Sequence, residues 1–256
     1  MSAELLRVLS GEGIEFRLGA RTVSAAIAGS QKNLTILTSD GTEEVLAASE
    51  IFLAAGIQAN TAGLGLDIAG VMVDERGFIE TDDRYETSTP GIYAAGDVIG
   101  RRVLETTAAK EGSMAAGNAL PGASRTINYN HVPRAVFTDP EVASVGITEE
   151  QEMEIFNACS CRTIPIDIVP WAEATAETRG VFKMVIHPED STILGVHIVP
   201  PHGAELIHEA TLAVKFGLTI DDIIDIVHVF PTLSEGIKRV AQAFTRDISL
   251  MSCCVE

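Results

Sequence analysis

The cysteines are the residues of this chain best suited to metal or redox chemistry, and all four lie in close pairs. Cys253 and Cys254 are adjacent near the C-terminal end, and Cys159 and Cys161 are one residue apart. Thiolates select soft metal ions, and exposure eases their ionisation. The adjacent pair therefore suits capture of a soft cation, although taken alone it is more simply an incidental pair or a vicinal disulfide. Cys159 and Cys161 are predicted to share one strand face as buried or edge thiols, with a metal role as the alternative.

Residues 91–98, which read Gly-Ile-Tyr-Ala-Ala-Gly-Asp-Val, are the second chemically informative segment. We predict a buried strand that ends at Gly96 and Asp97, followed by a helix. Glycine permits a sharp turn and a close approach to a ligand, and the Asp97 carboxylate can bind sugar or ribityl hydroxyls. The start of the following helix can face a pyrophosphate. The alternative is an ordinary corner between strand and helix, capped by the aspartate.

The composition excludes several classes of partner. The chain has 256 residues and a net charge of −18, which argues against nucleic acid and against anionic membrane surfaces. No apolar run reaches the roughly 20 residues of a membrane span, and no signal peptide is visible at the start. Four cysteines in a chain of this length do not form a disulfide scaffold. We therefore expect a cytoplasmic protein with free thiols.

Three regions must position these residues. The first, residues 1–55, is predicted to be the closing half of a nucleotide-binding domain, with an Asp40-Gly41 hairpin turn. Its predicted elements are a helix at 2–10 and strands at 14–17, 23–27, 34–38 and 50–55. In the second region, 56–128, we predict short strands at 71–81, a buried strand at 92–95 and a helix at 108–120.

The third region, residues 129–256, changes from β-rich to helical segments, which predicts an α+β domain. The predicted strands are 135–137, 143–147, 182–186 and 193–199. The predicted helices are 204–216, 220–226 and 234–244.

In order along the chain, these motifs resemble the C-terminal portion of the pyridine nucleotide-disulfide oxidoreductase family, which includes dihydrolipoamide dehydrogenase, glutathione reductase and mercuric reductase. The matching stretches are 54–60, 63–66, 91–98, 136–143, 178–183 and 230–254. The resemblance implies a mixed α/β and α+β fold and a homodimer. It divides the chain into a partial NAD(P)-binding domain (1–55), a partial FAD-binding domain (56–128) and a dimerisation domain (129–256).

The resemblance also assigns cofactors and their contacts. It implies FAD and NADPH, with Asp97 on the ribityl arm of the flavin and Gly96 in the turn beside it. The predicted helix would begin near the isoalloxazine ring. The further contacts implied on that helix are Glu105, Thr106 and Ala108.

Two features are similar to the mercury-reducing members of the family. Members that handle dithiols have a histidine before Pro231, paired with a glutamate that corresponds to Glu235, whereas this chain has Phe230. The resemblance places Phe230 and Glu235 in the active site of the partner subunit. Cys253 and Cys254 match the tail that delivers Hg(II) to the redox cysteines of the partner. The implied activity is NADPH-dependent reduction of Hg(II) to Hg(0), a mercury detoxification. The mercury-reducing members often carry a tyrosine where this chain has Thr232.

Other interpretations are a dithiol oxidoreductase similar to dihydrolipoamide dehydrogenase and a non-catalytic module. The latter would be a dimerisation or metal-sequestering unit built on residues 129–256. The 256 residues contain neither Gly-x-Gly-x-x-Gly nor Cys-x4-Cys. We therefore expect the chain by itself to bind flavin weakly at most and not to turn over.

Overall fold

The computed structural model describes residues 1–247, which form two compact units. One unit is Leu9–Gln58, and the other joins Met1–Val8 to the residues from Ala59 onward. Among the described residues, no helix combines the length and the apolar character needed to cross a membrane. Cys253 and Cys254 lie outside the described residues, so the predicted metal role of the tail stays a prediction.

The unit Leu9–Gln58 contains a three-stranded antiparallel sheet in the order β1-β2-β3. Its strands are β1 (Arg21–Ala28), β2 (Gln31–Leu37) and β3 (Glu43–Ala48). The Asp40-Gly41 turn joins β2 to β3, where Asp40 accepts a hydrogen bond from the Thr42 backbone N–H at 3.0 Å. The hairpin prediction is therefore confirmed, with β3 as the second strand.

The predicted strand at 50–55 is wrong. Residues 51–55 have no strand structure, and the Phe52 and Leu53 side chains are 93% and 83% exposed. A strand needs backbone partners along its length, and the ladders of the Leu9–Gln58 unit pair β1, β2 and β3 only. The apolar composition of the segment suggests burial in a sheet, but this unit supplies no neighbouring strand. The predicted strand at 14–17 is absent for the same reason.

Residues 59–128 form short bridges around one buried cluster. Val73 bridges to Ile79, and Tyr93 bridges to Glu86, so the predicted strand at 92–95 is reduced to a single bridge. A short 3₁₀-helix follows at Gly96–Ile99. Helix α1 (Ser2–Gly11) comes before these bridges in the chain, and helix α2 (Glu105–Asn118) comes after them. The buried cluster comprises Val71, Ile79, Tyr85, Ile99, Met114 and Ala115.

From residue 129 onward the chain forms a five-stranded antiparallel sheet, in the order β4-β5-β8-β7-β6, with helices packed against it. The strands are β4 (Arg134–Val136), β5 (Val142–Gly146), β6 (Cys161–Pro165), β7 (Val181–Ile186) and β8 (Ile193–Ile198). The helices are α3 (Glu149–Phe156), α4 (Pro170–Thr175), α5 (Gly203–Phe216), α6 (Ile220–Asp225) and α7 (Glu235–Gln242). The predicted α+β architecture is confirmed. Helices α3 and α4 are not among the predicted helices of this region.

The central strands β7 and β8 carry the core of this region. Phe182, Met184, Val196 and Ile198 are fully buried. Helix α7 approaches this core closely, because a Cβ atom at Gly236 would lie 2.4 Å from the Phe182 ring. The first turn of α7 is therefore fixed against the sheet.

Candidate functional site

The turn at Gly96 is held against helix α2. Gly96 has φ = +81°, which favours glycine, and a Cβ atom there would lie 3.0 Å from the Cβ of Ala108. Its backbone N–H donates a 2.7 Å hydrogen bond to Glu111 Oε2. The turn is thus in direct contact with the first two turns of α2.

Glu111 is the fully buried centre of a small polar network. While Oε2 accepts the Gly96 N–H, Oε1 accepts a 2.6 Å hydrogen bond from the Tyr129 hydroxyl. The Tyr85 hydroxyl lies 3.5 Å from that of Tyr129. Burial, and next the hydrogen bond to Glu111, raise the pKa of Tyr129 far above its usual range, so this hydroxyl remains a donor. Both carboxylate oxygens therefore have partners, which offset the cost of burying Glu111.

The beginning of α2 leaves polar groups available to a ligand. The first backbone N–H groups of a helix have no partner within it, and the preceding residue, Leu104, provides no side-chain cap. Glu105 and Thr106 are exposed. The Thr107 hydroxyl is buried and finds no hydrogen-bond partner among the described residues.

The same turn of α2 opens onto a cavity of about 490 Å³, whose lining includes Thr106, Thr107, Lys110, His131 and Lys215. The Asp97 carboxylate is exposed on the preceding turn. An exposed carboxylate, a buried hydroxyl that has no hydrogen-bond partner within residues 1–247 and a tight glycine turn fit one side of a flavin nucleotide. The roles of Gly96, Asp97, Glu105, Thr106 and Ala108 as flavin contacts stay a prediction.

The structure places Phe230 in the segment before α7 and Glu235 at the first residue of that helix. A cis peptide bond joins Phe230 to Pro231, and the Phe230 side chain is 52% exposed. Glu235 is buried in the first turn of α7, and its carboxylate accepts a hydrogen bond from the Thr232 backbone N–H at 3.3 Å. Phe230 is thus an exposed ring five residues before a buried, hydrogen-bonded carboxylate, and the catalytic role of both residues stays a prediction.

His228, the imidazole nearest in sequence to this turn, is bound elsewhere. Its Nε2 lies 2.8 Å from Glu209 Oε1 on α5, and its Nδ1 lies 3.2 Å from the Ile226 carbonyl oxygen. Because both ring nitrogens face acceptors, the doubly protonated ring is favoured. The hydrogen bond to Glu209 raises the pKa of His228 above its ordinary value. The Glu209 contact therefore favours the charged form of His228 and ties this segment to α5.

This ion pair predicts a pH-dependent stability. Because the folded protein raises the pKa of His228, the stabilisation is fully present below the unfolded value of about 6.5 and is lost as pH rises through the folded value. We expect E209Q to lower the free energy of unfolding by on the order of 1 kcal/mol at about pH 5.5 and by less at about pH 8.5. Urea unfolding at the two pH values measures this difference.

The matched control is E205Q, which removes an exposed carboxylate one turn earlier on α5. E205Q should change the free energy of unfolding by the same amount at both pH values. A loss in E209Q that does not change with pH would contradict the assignment of a charged His228.

Sequence reasoning missed Glu111, Tyr129 and Thr107. A usable signal was present on α2, where one face of the helix carries Thr107, Glu111, Met114, Ala115 and Asn118 at helical spacing. A glutamate between small and apolar residues on such a face indicates a buried carboxylate that needs donors. The donors themselves, 15 residues before and 18 residues after Glu111, have no local signature.

Comparison with protein families matches both parts of the chain to one family. Residues 1–119 match pyridine nucleotide-disulphide oxidoreductase, and residues 132–241 match pyridine nucleotide-disulphide oxidoreductase, dimerisation domain. The dimerisation match covers the five-stranded sheet and its helices. The first match covers Gly96, Asp97 and the whole of α2.

Individual proteins agree with this assignment. A mercuric reductase of Staphylococcus aureus is 40% identical over 215 residues, which are 84% of this chain and 39% of that protein. A dihydrolipoyl dehydrogenase of Thermus scotoductus is 39% identical over 245 residues, 94% of this chain and 52% of that protein. The crystal structure of LpdA from Mycobacterium tuberculosis is similar with a TM-score of 0.82 at 27% identity, over 94% of this chain and 52% of that one. The chain thus spans about half the length of the relatives it matches.

Proposed function

Because the chain belongs to the pyridine nucleotide-disulphide oxidoreductase family, we propose that it forms the flavin-contacting and dimer-forming part of a homodimeric enzyme that reduces Hg(II) to Hg(0) with NADPH. Residues 1–55, 56–128 and 129–256 keep their predicted domain roles in this proposal. Overall identity does not separate mercury reduction from dithiol oxidation, since the two kinds of relative are 40% and 39% identical to the chain. The choice depends on particular residues.

The observation that carries the proposal is the exposed Phe230 ring directly before Pro231, five residues before the buried Glu235. The resemblance assigns a histidine to this position in members that handle dithiols. Thiol-disulfide exchange needs a proton shuttle with a pKa near the working pH, and phenylalanine has no titratable group. His228 does not replace it, because Glu209 and the Ile226 carbonyl hold that ring. Reduction of a metal ion needs no such shuttle.

The described residues have defined tasks in the proposed enzyme. FAD, when bound, supplies the transfer of two electrons from NADPH to the acceptor. Gly96 lets the backbone approach this group, and Asp97 binds its hydroxyls. Glu111 and Tyr129 fix the turn relative to α2, and the first turn of α2 presents its N–H groups. These tasks are binding and orientation.

Cys253 and Cys254 are the proposed ligands that deliver Hg(II). Adjacent thiols provide two soft donors for a soft cation, which hard carboxylates do not replace. The proposed compartment is the cytoplasm, which keeps thiols reduced. The free thiols of Cys159 and Cys161 within the described residues support that assignment.

Turnover of the native protein that contains these 256 residues tests the proposal. We expect NADPH oxidation to depend on Hg(II), and dihydrolipoamide to be a poor substrate. The variant C253A/C254A should lower kcat/KM for Hg(II) at least about tenfold, a loss near 1.4 kcal/mol of transition-state stabilisation, without changing flavin absorbance.

S252A is the matched control, since it changes the same tail and retains both thiols. The F230H variant tests the other half of the proposal, because an imidazole directly before Pro231 should raise dihydrolipoamide oxidation. Unchanged Hg(II) turnover in C253A/C254A, together with efficient dihydrolipoamide oxidation by the unmodified enzyme, would favour a dithiol oxidoreductase.

A further inference from the structure

Cys159, Cys161 and Glu149 converge at one edge of the five-stranded sheet. Cys161 is the first residue of the edge strand β6, and Cys159 lies in the loop that precedes it. The two sulfur atoms are 3.5 Å apart, and Cys159 Sγ lies 3.2 Å from Glu149 Oε1. The three candidate ligand atoms all lie within 4.8 Å of one another. Two soft donors and one carboxylate oxygen therefore face a common point.

We propose that Glu149, Cys159 and Cys161 bind a divalent thiophilic cation of the Zn²⁺ or Cd²⁺ type. This site uses residues other than Cys253, Cys254 and those of the turn at Gly96. It does not depend on the function proposed above.

The spacing of the donors favours tetrahedral coordination. With a metal–sulfur distance of about 2.3 Å, two sulfurs of a tetrahedral site are about 3.8 Å apart, and a sulfur and a carboxylate oxygen are about 3.5 Å apart. The observed 3.5 Å and 3.2 Å need shifts of about 0.3 Å. A linear two-thiolate site, by contrast, needs sulfurs roughly 4.6 Å apart. Three protein ligands leave the fourth tetrahedral position for a water molecule. Water can reach the site because the Cys159 side chain is exposed to solvent.

The local charge balances such an ion. Lys183 Nζ binds the second carboxylate oxygen of Glu149, so Oε1 is left to face the thiols. The ion pair with Lys183 lowers the pKa of Glu149 to about 2, which keeps this ligand ionised. Two thiolates and one carboxylate carry three negative charges, which a divalent cation and Lys183 neutralise. Cysteines ligate as thiolates, so metal binding releases the thiol protons to solvent.

The loop is held in place before any ion binds. A capping box between Thr148 and Gln151 fixes the first turn of α3, where Glu149 is the first helical residue. The fully buried Glu152 accepts the Ser160 backbone N–H at 2.6 Å, which fixes the residue between the two cysteines. Ligands from a capped helix and from an anchored loop satisfy the preorganisation that a metal site needs.

Cadmium titration of the reduced, metal-free 256-residue chain tests the proposal. The C253A/C254A background is used, because it leaves Cys159 and Cys161 as the only thiols of the four. Cd²⁺ serves as the probe, and its thiolate charge-transfer absorption reports ligation. We expect one Cd²⁺ per chain, and no charge-transfer band when C159A and C161A are added.

The carboxylate ligand is tested in the same background. E149Q should weaken Cd²⁺ binding at least about tenfold. E150Q removes the neighbouring exposed carboxylate and should change the affinity less than about twofold, since Glu150 is outside the three-residue cluster. Circular dichroism verifies that each variant is folded. The proposal is overturned if the C253A/C254A chain binds no Cd²⁺, or if E149Q and E150Q weaken Cd²⁺ binding equally.

Discussion

The Glu111→Leu variant is expected to lose about 3 kcal/mol of its free energy of unfolding, because each buried donor left without an acceptor costs about 1–3 kcal/mol. Two donors lose their acceptor together: the Gly96 N–H at 2.7 Å and the Tyr129 hydroxyl at 2.6 Å. Leucine is close to glutamate in volume, so little of the loss comes from a cavity. Urea unfolding followed by circular dichroism measures it.

Two further variants separate the hydrogen bonds from the shape of the side chain. E111Q retains an oxygen for the Gly96 N–H, and the Tyr129 hydroxyl can rotate to accept from the new amide, so we expect a loss of about 1 kcal/mol. Y129F removes one donor and leaves the other hydrogen bond in place. Equal stabilities of E111L and E111Q would show that the hydrogen bonds at this position do not stabilise the fold.

The same network connects stability to the proposed function. Glu111 joins the Gly96 turn to α2, and the predicted flavin contacts belong to these two elements. In the native protein, E111L should therefore weaken retention of FAD more than E111Q does. A dissociation constant for FAD that is equal in the two variants would separate the network from the flavin site.

The sequence predicted the antiparallel sheet well because its strands find their partners within the chain. Alternating or continuous apolar runs at 143–147, 182–186 and 193–199 correspond to β5, β7 and β8, and β8 pairs with both of the others. The segment 50–55 has an equally apolar pattern but no neighbouring strand in its unit, and Phe52 and Leu53 are exposed. A pattern that predicts burial does not supply the backbone partners that burial requires.

The candidate sites show the same division between local and distant information. The turn at Gly96 follows from spacing over a few residues. The predicted shared strand face is wrong for Cys159, which is exposed in the loop before β6, although its sulfur still lies 3.5 Å from that of Cys161. Glu149, which adds a carboxylate to that pair, lies ten residues before Cys159 on the unpredicted helix α3. Lys183, 34 residues after Glu149, reaches the cluster only through sheet pairing. Such long-range contacts carry no sequence pattern of their own.

The second large effect is expected at a pair of glycines that face each other across β5 and β8. Gly146 and Gly195 are opposite in the ladder, and Gly146 has φ = +82°. A Cβ atom at Gly146 would lie 2.0 Å from the Leu194 carbonyl oxygen, and one at Gly195 would lie 2.1 Å from the Ile147 carbonyl oxygen. Only glycine permits the two backbones to approach so closely.

G146A should therefore lower the free energy of unfolding by about 4 kcal/mol or more, since a left-handed backbone costs an alanine about 1–2 kcal/mol before the clash is counted. The Leu194 carbonyl cannot move aside freely, because it accepts the Ile147 N–H at 3.0 Å. G112A is the matched control, because Gly112 lies within α2 and a Cβ atom there would meet nothing within 4 Å outside its own helix among the described residues. Alanine at this helical position should add up to about 1 kcal/mol.

The urea midpoint should fall steeply for G146A and stay level or rise for G112A. A G146A protein within about 1 kcal/mol of the unmodified chain would mean that β5 and β8 can separate without loss, contrary to the tight pairing on which the sheet depends.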